Sequence, residues 1–395
     1  MKTSLTAFLT FLILISSCTT HSVNNPNEYV LKGEINGQDS GIITLFYFHN
    51  NARFQDTAII ENGKFIFTGE ILEPTQAILD GGNELNNVWI YLEPNNMKII
   101  LSKDMYAECK MTGSKTQIEY DLLNKMKKPF YERLSILRDQ KKKIIDSIAK
   151  SKNDSSKIVL EIKAQETDKL LSLTAKKIDS ISIKFVLEYP KSFLSLINLQ
   201  RLLSSGVISL DSTKSIFNKM DNPLKESSYG KNIIEDIRKK ENILPGSKAP
   251  DFKATDLNQQ TLTLSQFMGK SVVLLDIWAS WCVPCRESLP HLKTIYNKYH
   301  SKGFEIIAVS TDESRNEWIE AVKQFSTEMW YHILIAEKWP NGQITNDDIY
   351  QNYPNTAIPE QILIDKDGRI IYHHLGYSKQ SEKVLDSLLF NLFEK

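Results

Sequence analysis

The stretch that constrains this chain most is Val272-Val273-Leu274-Leu275-Asp276-Ile277-Trp278-Ala279-Ser280-Trp281-Cys282-Val283-Pro284-Cys285-Arg286. Its first half is a near-continuous apolar run rather than an alternating one, which is how a central parallel strand covered on both faces reads. After Cys285 the spacing turns helical, with Leu289, Leu292, Ile295 and Tyr296 on one face. Strand, turn and helix follow one another, and the two cysteines open the helix. Cys282 stands where the first free N–H groups of that helix point, and this positive end favours a thiolate. Pro284 suits the first turn, because it fixes φ and lacks an N–H that would have no helical partner there.

A lone C-x-x-C could also be half of a zinc site, which needs four ligands in recognisable pairs. The other cysteines are Cys18 and Cys109, His291 follows Cys285 by six residues, and the doublet His373-His374 is remote. No metal-ligand spacing emerges, and neither a metal nor a cofactor is expected.

Strand, Trp-Cys-x-Pro-Cys and helix together resemble the active-site segment of the thioredoxin superfamily. The likeness extends upstream through Gly246-Ser247-Lys248-Ala249-Pro250-Asp251-Phe252 and through Leu262 to Lys270. With that flank the chain resembles the TlpA/ResA-like thiol–disulfide oxidoreductases of the bacterial envelope. The resemblance implies a C-terminal α/β thioredoxin-like fold and a redox-active Cys282–Cys285 disulfide, with Cys282 attacking and Cys285 resolving. Asp276 matches the buried acid of thioredoxins, which is held to help Cys285 lose its proton. By its residues alone, Asp276 is a carboxylate in an apolar strand, costly unless paired or protonated, or an ordinary polar residue at a strand end. Pro359, in Ala357-Ile358-Pro359, matches the cis-proline beside the cysteine pair, although most X–Pro bonds are trans. The same likeness puts Trp281, Ile358 and Pro359 at a groove where a substrate chain pairs as an added strand.

Two positions depart from the family pattern. Ser288 stands three positions after Cys285, where an acidic residue is frequent, with Glu287 just before it. Glu360 follows Pro359 where thioredoxins usually have Thr. Pro290 falls inside the cysteine helix and is expected to kink it.

A chain of 395 residues suits two or three domains. Residues 1–17 read as a lipoprotein signal peptide: Lys2 is basic, Leu5 to Ile15 is apolar but too short to span a bilayer, and Ile15-Ser16-Ser17-Cys18 resembles a lipobox. Lipidation of Cys18 would anchor the protein in the cell envelope, facing the periplasm. Residues 18–27 form a polar tether. From 28 to 113 the pattern is β, with strands at Tyr29–Ile35, Ile42–Phe48, Thr57–Ile60, Lys64–Thr68, Ala77–Leu79, Val88–Leu92 and Lys98–Leu101. Asn62-Gly63 marks a two-residue hairpin, and a β-sandwich is expected. Met105, Ala107, Cys109 and Met111 alternate, which predicts that they face its core. His49 and Arg53 read as solvated loop neighbours.

Residues 114–242 read as helical, with Ile118, Leu122, Met126, Phe130, Leu134 and Leu137 as one stripe. A second helix is expected from about Ser156 to Glu188, and shorter ones from Ser192, Leu210 and Leu224. Lys141-Lys142-Lys143 reads as a solvated face. Residues 243–395 form the redox domain, ending in a helix whose expected inward face is Val384, Leu385, Leu388, Leu389 and Leu392.

The counts of basic and acidic residues are equal at 48, so the net charge is zero and nucleic acid is not expected as a partner. Four cysteines are too few for a disulfide scaffold. The resemblance implies disulfide exchange on protein thiols, in the reducing direction, fed by an upstream electron donor in the membrane. Two other readings stay open: a surface ligand-binding lipoprotein with an auxiliary redox module, and a thiol peroxidase.

Overall fold

The computed structural model describes residues 25–49, 52–151, 153–335, 347–353 and 357–395. The signal segment, Cys18 and most of the expected tether lie outside them. The chain divides into two compact units, Met1–Pro129 and Phe130–Lys395.

In the first unit eight strands precede a long helix: β1 Glu28–Asn36, β2 Ser40–His49, β3 Ala52–Glu61, β4 Lys64–Glu70, β5 Thr75–Asp80, β6 Asn87–Leu92, β7 Asn96–Ser102 and β8 Lys110–Thr112. They join in one hydrogen-bonded order, β6-β5-β2-β3-β4-β1-β7-β8, in which β1 and β7 run parallel. The β3–β4 turn places Asn62 at φ 51° and Gly63 at φ 73°, both left-handed, as a two-residue hairpin requires. Alternation along the strands sends Leu31, Ile43, Leu45, Phe67, Leu79 and Ile99 into one core. Gly33 is bare because the Phe65 ring occupies the space its Cβ would fill, 1.8 Å away.

The alternation expected through Met105, Ala107, Cys109 and Met111 breaks. A 3-10 turn over Tyr106–Glu108 turns Met105 and Ala107 to solvent and buries Tyr106 instead. Cys109 is half-buried, and burial pushes its thiol up to about 11.

The helix α1, Lys115–Lys150, is capped from a distance: Glu93 accepts from the Lys115 and Thr116 N–H groups at 3.2 and 2.7 Å. Its expected stripe needs correction, because Ile118 and Leu122 are exposed and Leu123 is buried instead. Each four-residue step advances about 40° around a helix, so a strict i+4 row drifts off the core face. The buried positions step by four, seven and three, through Leu123, Lys127, Leu134 and Leu137.

The second unit continues with α2 Asp154–Glu188, α3 Phe193–Ser204, α4 Leu210–Asn218, α5 Asn222–Glu226 and α6 Ser228–Asn242. Thr167, Thr174, Ile178 and Phe185 line the inner stripe of α2, and Lys141 of α1 bridges to Asp168. The run Lys141–Lys143 is thus partly engaged rather than wholly solvated.

The redox fold follows. A two-stranded ladder, β9 Lys253–Thr255 with β10 Thr261–Thr263, precedes β11 Val272–Trp278, α7 Val283–Tyr299, β12 Phe304–Ser310, α8 Arg315–Gln324, β13 Tyr331–Leu334, α9 Asp347–Asn352, β14 Glu360–Ile364, β15 Ile370–Leu375 and α10 Lys379–Phe393. The sheet order is β13-β12-β11-β14-β15, parallel on the β12 side of β11 and antiparallel on the β14 side. Every residue of β11 is buried, which is why its sequence does not alternate. Leu274 and Trp278 face a cluster with α7, α8 and α10, while Val273, Leu275 and Ile277 face a second cluster on the other side.

The inward face of α10 is narrower than expected. Leu385 and Leu389 are buried and Leu388 packs beside them, whereas Val384 and Leu392 are exposed at 38% and 42%. Among the described residues no helix is long and apolar enough to cross a membrane.

Candidate active site

The central strand delivers Cys282 onto the N-terminus of α7 as its capping residue. The two cysteines are joined by an S–S bond of 2.03 Å with their Cα atoms 5.2 Å apart. The Cys285 backbone N–H donates to Cys282 Sγ at 3.2 Å. That donor, with the positive end of the helix, stabilises a thiolate on Cys282 when the bond opens. Cys285 has no such position, since it lies inside the first turn and is 1% exposed. Cys282 is itself only 5% exposed, and the exposed surface around it is apolar, made by Trp281 at 64% and Val283 at 52%.

The turn before Cys282 is clamped by a residue that sequence reasoning missed. Asp312 is fully buried; it accepts from the Ser280 N–H and hydroxyl and from the Ser310 hydroxyl, at 3.0, 2.7 and 2.7 Å. Ser310 ends β12 directly opposite Trp278 on β11, so the clamp crosses between neighbouring strand ends. The available signal was a polar Ser-Thr-Asp at the end of an apolar strand.

Asp276 lies between Leu274 and Trp278 on the β11 face that packs against both cysteines. It is 1% exposed, and burial holds its carboxyl up at about 7. The Gln361 amide opposes that rise by donating to Asp276 Oδ1 at 3.2 Å. An acid that titrates near neutrality on this face is suited to exchanging a proton with the inner thiol.

The peptide bond between Ile358 and Pro359 is cis. Pro359 is buried, its carbonyl accepts from the Gly376 N–H at 2.7 Å, and Ile358 packs against the cluster that holds both cysteines. Strand, cysteine turn and proline loop thus meet at one end of the sheet. Among the described residues no group of three His, Cys, Asp or Glu could hold a metal ion.

The same segment decides the relationship to known proteins. Over 151 residues, 38% of this chain and 80% of the other, the chain is 34% identical to thiol-disulfide oxidoreductase ResA of Bacillus thuringiensis. The chain belongs to the TlpA/ResA-like thiol–disulfide oxidoreductases. The Redoxin family model matches residues 244–389, and the family DUF4369, a domain of unknown function, matches residues 29–120. Among solved structures, the thioredoxin domain of a thiol-disulfide oxidoreductase from Bacteroides vulgatus is 29% identical and is covered over 97% of its length, 37% of this chain, with a TM-score of 0.31. A thiol:disulfide interchange protein from Bacteroides sp. is 28% identical, covered over 90% of its length and 37% of this chain, with a TM-score of 0.31. As a TlpA/ResA-like protein the chain is a thiol–disulfide oxidoreductase of thioredoxin fold.

The two departures from the TlpA/ResA-like pattern have distinct places. Ser288 is buried, and its hydroxyl donates to the Cys285 carbonyl at 2.7 Å. Glu287 beside it is exposed. Glu360 is also buried, but strand alternation places it with Ile362 and Ile364 on the face away from α7. There it meets His373 Nε2 at 2.7 Å. Pro290 lies inside α7 without breaking it.

Proposed function

We propose that this chain is a lipid-anchored envelope reductase of protein disulfides, working through Cys282 and Cys285. The observation that carries the reading is the Cys282 sulfur at the helix N-terminus, receiving the Cys285 N–H at 3.2 Å, while Cys285 is sealed behind it.

In the reduced protein the Cys282 thiolate attacks one sulfur of a substrate disulfide. A Cys282–substrate bond forms, the substrate S–S bond breaks, and its electron pair leaves on the other substrate sulfur. Asp276 then takes the proton of Cys285, and the new thiolate attacks Cys282. The Cys282–Cys285 bond closes, and the second substrate sulfur departs as a thiolate that is protonated from solvent. Two electrons have passed to the substrate, and a thiol donor on the membrane side must return them. Trp281 and Ile358 flank the reacting sulfurs with apolar surface, and the backbone before Pro359 offers pairing groups to an extended chain.

The reducing direction follows the family. The envelope placement rests on the apolar Leu5–Ile15 segment and on Cys18 after two small residues. The expected result is catalysis of insulin reduction by dithiothreitol without turnover of hydrogen peroxide. Peroxide turnover with no insulin reduction would instead make the protein a thiol peroxidase.

A further inference from the structure

Asp276 is one end of a polar row that crosses three strands. It lies directly opposite Gln361 on β14, and Gln361 lies directly opposite His374 on β15. Directly opposed residues share a face of the sheet, here the face toward α7. Gln361 is 6% exposed, an unusual place for an amide unless it has a task, and its Nε2 reaches Asp276 Oδ1 at 3.2 Å.

Among the described residues, none around Asp276 supplies a charge that could do the same. On β12 the opposed residue is Ala308, and on its own strand the same-face neighbours are Leu274 and Trp278. From α7 and its cap the titratable groups in that cluster are the two cysteines, Tyr296 and Tyr299, none of them a cation, and Ser288 is uncharged. Glu360 and His373 are paired on the other face. His374, beyond Gln361, is held below its ordinary value by burial and by His373, both of which disfavour its charged form. Asp312 is engaged with Ser280 and Ser310. Opposing the burial of Asp276 therefore falls to one uncharged donor, since a hydrogen bond given to a carboxylate favours its ionised form.

We propose that Gln361 is a positioning residue of the exchange reaction, which keeps the Asp276 carboxylate ionised and aimed toward the cysteine helix. Gln361 is two residues from Pro359, so the strand that opens at the substrate loop also carries the donor that sets the state of the acid. The inference rests on the reading of Asp276 as proton acceptor for Cys285.

The test uses the full chain, reduced and mixed with 5,5′-dithiobis(2-nitrobenzoate) in a stopped-flow spectrometer between pH 5 and 9. The first thionitrobenzoate is released by Cys282 and the second by Cys285 resolving the mixed disulfide. Gln361→Met, close in shape but without a donor, is expected to raise the pH midpoint of the second phase by about one unit, a tenfold slower resolution below it. The first phase is expected to keep its wild-type profile. Gln361→Leu serves the same purpose should the Met variant not fold. In an Asp276→Asn background the substitution at 361 is expected to add no shift. An unmoved midpoint in Gln361→Met, with Asp276→Asn abolishing the pH dependence, would overturn the role of Gln361 and leave that of Asp276 intact. A wild-type profile in Asp276→Asn would instead remove the reading beneath it.

Discussion

Replacing Asp276 by Asn tests the burial of that acid through stability as well as rate. Desolvation lifts its carboxyl from an ordinary 3.8 to about 7, so the folded state binds a proton over a pH range where the unfolded state has lost it. Stability from this site therefore falls as pH rises above about 4, and the whole cost is present above about 7. At ~1.4 kcal/mol per pH unit the full cost is roughly 4 kcal/mol, of which about 2.5 kcal/mol develops between pH 5 and 8. Asn keeps the shape and the Gln361 bond without the charge. The unfolding free energy of Asp276→Asn, relative to wild type, is thus expected to grow by ~2.5 kcal/mol between those two pH values. Guanidinium chloride titrations read by tryptophan emission suit the measurement, because Trp278, Trp281, Trp318, Trp330 and Trp339 all lie in the redox domain, leaving only Trp89 outside. The same variant is expected to resolve mixed disulfides at least ~100-fold more slowly near neutral pH, the low end for a lost general base. Parallel stability curves for the two proteins from pH 5 to 8 would refute the argument from burial.

Three further substitutions probe separate parts. Cys18→Ser is expected to move the protein from the membrane fraction to the soluble or uncleaved one; palmitate incorporation at the wild-type level would contradict the anchor. Asp312→Ala strips the Ser280 and Ser310 donors of their buried acceptor, which is expected to cost about 3 kcal/mol in the redox-domain transition. Unchanged stability and exchange rate in that variant would reduce the clamp to a bystander. Gly33→Ala drives a methyl group into the Phe65 ring, and a loss of about 1–3 kcal/mol is expected in the first unit. A neutral result, read by chemical denaturation, would mean that the ring has room to move.

The parts of the fold that were legible in the sequence are those where one pattern dominates. The unbroken apolar run of β11 betrays a strand buried on both faces, and Asn62-Gly63 fixes a hairpin by its left-handed pair. Stripes were read less well, because i+4 rows drift around a helix. Ile118 and Leu122 of α1, and Val384 of α10, sit on the flanks for that reason, whereas Leu392 shares the face of Leu385 but lies in the last turn of α10. Alternation at Met105–Met111 failed because a 3-10 turn resets the period.

In the candidate site, the cysteines, Asp276 and the proline loop carry local signatures. Gln361 has none, and Asp312 only the polar Ser-Thr-Asp that ends an apolar strand, since their importance comes from strand pairing between segments far apart in sequence. Asp312 reaches Ser280 across 32 positions, and Gln361 reaches Asp276 across 85. Register, rather than residue type, assigns those two.

The division of labour between the cysteines is tested most directly by timed alkylation of the reduced protein near pH 7, with each site followed by mass spectrometry. Cys282, capped by an N–H and set at the helix end, is expected to label much faster than Cys285. Cys109, whose thiol is pushed up to about 11, is expected to lag as an internal reference. In parallel, Cys285→Ser is expected to accumulate mixed disulfides with envelope proteins and Cys282→Ser none. Equal labelling of the two sites, or partners trapped on Cys282→Ser instead, would contradict the assignment of nucleophile and resolver.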